Sequence, residues 1–295
     1  MMLTSFGSLR FMIENILLAD SGTGQSEQML KSLMELPAIQ RAAVTVLHVI
    51  PPKITAEEMA EQRQAGAKLL AEAVARLHLD PVISVNTMLR EGDPKDTVLH
   101  VADEINADLI IMGSRGLKRL QSILENSVSQ YVFQLSSRPM LLVRDDIYVK
   151  KINRIMVALN NSAAAKASLD LAVRLIEGVK GGKLILAHVN PDLKGHADTP
   201  SSAAEKDPLL AEAATVAKQR GVEYQCVLTT GKPAEEICRI AADTNADLLV
   251  LGSPDRRPSI ARSLPDLDRL LGTSLSDYVR VYAECPVLFV RQSEA

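Results

Sequence analysis

The sequence of this 295-residue chain repeats once along its length, and the repeat limits the folds that are open to it. Residues 106–113 and 245–252 both run from Asn-Ala-Asp through four apolar residues to a glycine, at an offset of 139. Three further segment pairs recur in the same order, beginning at residues 14 and 154, 43 and 183, and 138 and 285. Ordered matches of this kind indicate a tandem duplication. We therefore predict two domains, residues 1–146 and residues 147–295.

Each copy alternates apolar strand-like runs with helical segments. In the first copy the predicted strands are residues 14–20, 44–50, 82–89, 109–112 and 140–144, and the predicted helices are residues 27–36, 56–79, a helix that Asp93 caps, and 127–135. Apolar runs without polar alternation are typical of parallel strands that are covered on both faces. This pattern predicts an α/β fold with two doubly wound, Rossmann-like domains, each a five-stranded parallel sheet in the order 3-2-1-4-5 with helices on both faces.

This strand order predicts where a ligand would bind. Strands one and four are neighbours, and a crevice opens between their carboxyl ends. Asp20 ends the first run, and Gly113 and Gly116 follow the fourth. Residues 126–128 then open a helix, whose free N–H groups and dipole attract an anion. The sequence thus predicts an anion site in the first half, with Asp20 placed for a ribose and the Val49 backbone placed for a base.

The same residues resemble the universal stress protein family in its tandem form, across residues 14–291. The family motif is G-x-x-G, nine residues, then Gly-Ser or Gly-Thr, with an Asp after strand one and His-Val ending strand two. Asn126 replaces the last glycine, and Asn tolerates the left-handed conformation that a glycine there would adopt. The resemblance assigns these residues to the nucleotide: Asp20, Val49, Met112, Gly113, Arg115, Gly116, Asn126, Ser127 and Val128.

The resemblance also implies a function. It implies an adenine-nucleotide alpha-hydrolase-like fold, binding of ATP or AMP with or without Mg²⁺, and a regulatory role in the stress response. It further implies an intramolecular pseudo-dimer of the two domains and leaves a homodimer open. Because the sequence shows no nucleophile–base pair and no metal cluster, we do not expect a dedicated enzyme, although slow ATP hydrolysis stays open.

The second half departs further from the motif. Asn160 replaces the acidic residue, Asp255 stands where the second glycine belongs, and an eight-residue insertion follows Gly252. We expect a weaker second site, formed by Asn160, Val189, Gly252, Gly272 and Thr273. These departures, with Asn126, also favour an alternative: a nucleotide-independent interaction or chaperone-like stress protein with decayed sites. A purely structural interpretation also stays open, in which Gly113 and Gly116 only shape a turn.

Composition excludes several other classes. The net charge is −3 and aromatic residues are 3% of the chain, which argues against nucleic acid as a partner. No apolar run approaches the roughly 18 residues that a membrane span needs. Three scattered cysteines without a C-x-x-C pair indicate reduced thiols rather than a disulfide or metal site. We therefore expect a cytoplasmic protein that does not bind a membrane.

Overall fold

The computed structural model describes residues 12–20, 24–114, 127–193, 201–253 and 274–291. The first half contains strands β1 Asn15–Ala19, β2 Ala43–Ile50, β3 Val85–Glu91, β4 Leu109–Ser114 and β5 Met140–Arg144, and helices α1 Gln25–Met34, α2 Ala56–Leu77, α3 Pro94–Glu104 and α4 Val128–Leu135. The second half contains strands β6 Arg154–Leu159, β7 Lys183–Val189, β8 Glu223–Thr229, β9 Leu248–Gly252 and β10 Val287–Val290, and helices α5 Ala163–Ile176, α6 Ser201–Ala204, α7 Pro208–Gln219, α8 Pro233–Asp243 and α9 Leu275–Tyr282.

The ten strands form one sheet, in the order β3-β2-β1-β4-β5-β10-β9-β6-β7-β8. Within each half the strands are parallel in the predicted order 3-2-1-4-5. The halves meet where β5 and β10 pair antiparallel, with Leu142 opposite Val287 and Met140 opposite Phe289. The predicted five-stranded parallel sheet of each half is thus confirmed, and the β5–β10 pairing joins the two into one sheet. Each half has an apolar fifth strand at its edge, and pairing these edges satisfies backbone groups that would otherwise be exposed.

Some predicted boundaries were wrong by a few residues, for local reasons. Strand β3 begins at Val85 and not at residue 82, because Asp80 accepts hydrogen bonds from the backbone N–H groups of Val82 and Ile83 in a turn. Helix α2 ends at Leu77, since His78 has a left-handed φ of 42°. Asp93 caps α3 as predicted, and its carboxylate accepts from the Lys95 backbone N–H at 2.8 Å.

The sheet has an apolar layer on each face. Leu18 and Ile111 belong to the core on one face, whereas Leu17 and Ile110 belong to the core on the other, and all four are fully buried. Neighbouring residues of a strand point to opposite faces, so a strand covered on both sides needs an unbroken apolar run. This explains the sequence pattern of β1 and β4, whose carboxyl ends lie side by side.

The repeated Asn-Ala-Asp segment has a structural role. Asn106 and Asn245 adopt left-handed φ values of 48° and 50° just after α3 and α8. The Asp108 carboxylate then accepts hydrogen bonds of 2.9 Å from the backbone N–H groups of Glu14 and Asn15. Asp247 binds the start of β6 in the same way, at 2.9 and 2.8 Å. These polar residues fix where the first strand of each half begins.

Candidate functional site

A cavity with a volume of about 420 Å³ opens at the carboxyl edge of β1, β2 and β4. It lies at the predicted crevice of the first half. Six of the nine residues predicted for the first site line it: Asp20, Val49, Met112, Gly113, Ser127 and Val128. The other three, Arg115, Gly116 and Asn126, lie outside the described residues. The structure therefore brings together the parts of the motif that it describes.

One wall of the cavity is apolar. Leu47 and Val49 come from β2, Val98 and Pro94 from α3, and Met112 from β4. Val98 and Met112 are buried, and Val49 is half-buried at the edge of the same core layer. Such a wall suits a flat ring more than a charged group. Sequence reasoning missed Leu47, Pro94 and Val98, although Pro94 stands directly after the predicted helix cap.

Asp20 forms the polar end of β1 in the cavity. Its side chain is buried, its backbone N–H donates to the Leu47 carbonyl at 2.9 Å, and its carbonyl accepts from His48 Nδ1 at 3.1 Å. Arg76 donates two 2.6 Å hydrogen bonds to the buried Glu27 carboxylate. This contact raises the pKa of Arg76 above its usual value, and the charge of Asp20 adds to the effect. A permanent cation thus stands near the Asp20 carboxylate.

Three serines, Ser114, Ser127 and Ser129, lie around the N-terminus of α4. Ser127 is the residue before the helix, but its Oγ hydrogen-bonds Ser129 Oγ at 2.9 Å and makes no capping bond. Ser114, at the end of β4, is buried, and its Oγ has no hydrogen-bond partner in the part of the chain that the structure describes. All three line the cavity. The site thus offers hydroxyl groups and a helix N-terminus, both of which can bind an anion. Ser114 and Ser129 were not predicted.

The second half arranges the equivalent serines differently. Ser274 caps α9 through a 3.2 Å hydrogen bond from the Asp277 backbone N–H. Ser276 Oγ donates to Ser253 Oγ at 3.2 Å, so the counterparts of Ser129 and Ser114 bind each other. The hydroxyl groups of Ser253, Ser274 and Ser276 therefore form hydrogen bonds within the protein.

Two of the predicted residues of the second site, Asn160 and Gly252, have structural roles. Asn160 is exposed, and its Oδ1 accepts from the Ser162 backbone N–H at 2.9 Å in a turn before α5. A Cβ on Gly252 would lie 2.7 Å from the backbone of Ala164 and Ala165, so a side chain is excluded there. Val189 is half-buried at the end of β7, and the remaining predicted residues, Gly272 and Thr273, lie outside the described residues.

None of the three cysteines, Cys226, Cys238 and Cys285, forms a disulfide bond. Burial raises the pKa of Cys226 and of Cys238 to about 11, and that of Cys285 to about 12. They are therefore protonated and unreactive near neutral pH.

Among the described residues, no three His, Cys, Asp or Glu side chains are grouped so that they could hold a metal ion. No helix in the described ranges is long and apolar enough to cross a membrane.

The sheet order and the cavity define a tandem α/β protein whose first half has a cavity at the carboxyl edge of its strands. The chain belongs to the universal stress protein family, which matches it twice, over residues 12–144 and 151–291. It is similar to the universal stress protein MT2061 of Mycobacterium tuberculosis, with 25% identity over 276 residues. The matched region covers 87% of this chain and 90% of MT2061.

Two further relatives are similar to this chain. The universal stress protein YxiE of Bacillus subtilis is 29% identical over 149 residues, which cover 45% of this chain and 100% of YxiE. The crystal structure of a universal stress protein from Archaeoglobus fulgidus shares the fold, with a TM-score of 0.75 over 97% of this chain and 99% of that one, at 21% identity.

Proposed function

We propose that this protein binds ATP or AMP in the cavity of its first half and acts as a regulatory module in the stress response. One observation carries the proposal: a single cavity combines an apolar wall, the buried Asp20 and the N-terminus of α4. Its volume of about 420 Å³ lies in the range of small-ligand pockets, which is roughly 300–1,000 Å³.

The lining chemistry follows the three parts of a nucleotide. The apolar wall formed by Val49, Val98 and Met112 fits the base, and the Asp20 carboxylate can accept hydrogen bonds from ribose hydroxyls. Ser114, Ser127 and the first N–H groups of α4 provide donors for phosphate oxygens. By the family resemblance, Arg115, Gly116 and Asn126 complete the phosphate loop, and Mg²⁺ accompanies the phosphates where it is needed.

The proposed activity is binding and not dedicated catalysis. His48 Nδ1 is bonded to the Asp20 carbonyl, and the serines of the cavity have no histidine hydrogen-bonded to them in the described ranges. An activated nucleophile needs such a base. Slow hydrolysis of bound ATP remains compatible with the site.

A second candidate function is a nucleotide-independent interaction protein. Its support is the second half, where Asn160 closes its own turn and Ser276 binds Ser253. In the first half, the support for this alternative is Asn126, which replaces the final glycine of the nucleotide motif. Both functions fit the fold, so ligand binding distinguishes them.

Titration calorimetry of the full chain with ATP, AMP and NAD tests the proposal. We expect adenine nucleotide to bind at one strong site per chain, and Gly113→Val to abolish binding because it adds bulk at the cavity. Asn160→Ala, which changes the second-half counterpart of Asp20, is the control and should leave the affinity unchanged. Gly252→Val is unsuitable as a control because its side chain would collide with α5.

The absence of heat with any adenine nucleotide at millimolar concentration would exclude the proposed function in favour of the interaction protein. Equal losses in Gly113→Val and Asn160→Ala would instead show that both halves carry working sites.

A further inference from the structure

Helix α4, which opens onto the first cavity, is held at its other end by an arginine of the second half. Arg291 follows β10 and is buried. Its guanidinium donates to the Ser136 carbonyl at 2.7 Å and also to the Phe133 carbonyl. It also lies 4.8 Å from the centroid of the Phe133 ring. These acceptors are in the last turn of α4 and at its C-cap.

This contact matters because α4 is short. Its 8 residues give it a length of about 12 Å, and isolated helices of that size do not form stably in water. The last carbonyl groups of a helix have no partner within it, and a cation placed there also complements the helix dipole. Arg291 supplies both a partner and a charge. The position of the Ser127–Val128 end in the cavity therefore depends on how the Ser136 end is held.

The second half is held by the equivalent contact. Arg144, at the end of β5, donates to the carbonyls of Val281 and Ala283 at 2.9 Å, at the C-terminus of α9. It is also paired with Asp146, at 2.7 and 2.8 Å. Each half thus anchors the last helix of the other. Of these two arginines, Arg291 is the one whose helix, α4, lines the first cavity.

We infer that Arg291 is a positioning residue for the nucleotide site of the first half. This inference rests on the proposed function. Arg291 does not touch the cavity; it fixes α4 from the far end, so that Ser127 and the first N–H groups of the helix meet the ligand in a fixed place. The second half would then be needed for binding by the first half, even where its own site is weak.

The test is nucleotide affinity of the full chain with Arg291→Met and with Arg291→Lys. Methionine keeps the apolar stem but removes the donors, and we expect ATP affinity to fall about tenfold or more, which corresponds to about 1.4 kcal/mol. Lysine restores a cation at the helix end and should recover part of that loss. Arg144→Met removes the matching contact at the same interface, and although Arg144 stands beside Ser114 in the sheet, we expect ATP affinity to fall clearly less than in Arg291→Met.

Hydrogen exchange of the α4 amides, measured without nucleotide, provides a second readout. We expect faster exchange of these amides in Arg291→Met and unchanged exchange in Arg144→Met. Wild-type affinity in Arg291→Met, or equal losses in Arg291→Met and Arg144→Met, would overturn the inference and leave the proposed function standing. Failure of the wild-type chain to bind ATP or AMP would instead overturn the proposed function, and the inference with it.

Discussion

Serines at equivalent positions of the two halves have different hydrogen-bond partners. Ser253 accepts a hydrogen bond from Ser276, whereas Ser129 turns to Ser127 and leaves Ser114 Oγ without a partner among the described residues. A buried hydroxyl without a partner has a free-energy cost that a bound ligand can remove. Ser114 is thus the residue at which the asymmetry between the halves can be measured most directly.

We predict that Ser114→Ala changes ligand affinity and that Ser253→Ala changes stability. Ser114→Ala removes an unsatisfied hydroxyl, so the free energy of unfolding should change by less than about 0.5 kcal/mol, while ATP affinity should fall. Ser253→Ala breaks a buried hydrogen bond, so it should lower the free energy of unfolding by about 1 kcal/mol and leave ATP affinity unchanged. Urea unfolding and calorimetry measure the two quantities. Unchanged ATP affinity in Ser114→Ala would show that its hydroxyl does not contact the ligand.

At the scale of elements, the Asn-Ala-Asp segment links three of them in each half. It follows α3 with the left-handed Asn106, buries Ala107, and uses Asp108 to hold the N–H groups of Glu14 and Asn15 where β1 begins. Strands β1 and β4 are neighbours, and both border the cavity at their carboxyl ends. A residue at the amino end of the sheet therefore helps to set the register of the strands that form the site at the other end.

We predict that Asp108→Ala and Asp247→Ala each lower the free energy of unfolding by about 1–3 kcal/mol, because each leaves two strand N–H groups without their carboxylate acceptor. Asp103→Ala is a suitable control, since its side chain is 76% exposed and forms a surface ion pair with Arg138. It should cost no more than about 1 kcal/mol. Chemical denaturation of the three variants measures the difference. A loss in Asp108→Ala no larger than that in the control would contradict the proposed structural role of the segment.

At the scale of the whole molecule, the two halves share one sheet and one interface. Besides the β5–β10 pairing, Phe133 of α4 packs against Phe289 of β10 with ring centroids 4.6 Å apart, and Phe289 is fully buried. The arginines Arg144 and Arg291 cross the same interface. Because these contacts are buried and join the two halves, we expect the halves to unfold cooperatively.

We predict that Phe289→Ala lowers the free energy of unfolding by about 3–5 kcal/mol, the usual cost of emptying a buried aromatic site. The wild-type chain should unfold in one transition, and the variant should lose both halves together. Tyr148→Ala is the control, because Tyr148 is 77% exposed on the segment between the halves. Circular dichroism and hydrogen exchange in urea measure the transitions. Separate loss of the second half in wild type would show that the interface does not couple the halves.

Much of the fold could be predicted because its signals are local. The unbroken apolar runs predicted the strands, and Asp93 predicted the start of one helix. The repeat offset predicted two halves with the same strand order. The position of the cavity followed from that order, and Asp20, Val49 and Ser127 could be placed on it. Sequence reasoning could not reach Val98 or Ser114 as lining residues, because a core valine and a turn serine look the same whether or not they border a cavity.

The sequence by itself determined that this protein has two similar α/β halves, with a crevice at the carboxyl edge of the first, where the structure has a cavity. It could do so because burial on both faces and helix starts leave a periodic pattern within short segments. Only the tertiary structure decided that β5 and β10 join the halves, that Gly252 is required by the α5 backbone, and that Arg291 holds α4 from the other half. Such contacts join residues as far apart as Ser136 and Arg291, and no local pattern records which edge or helix end a side chain will meet.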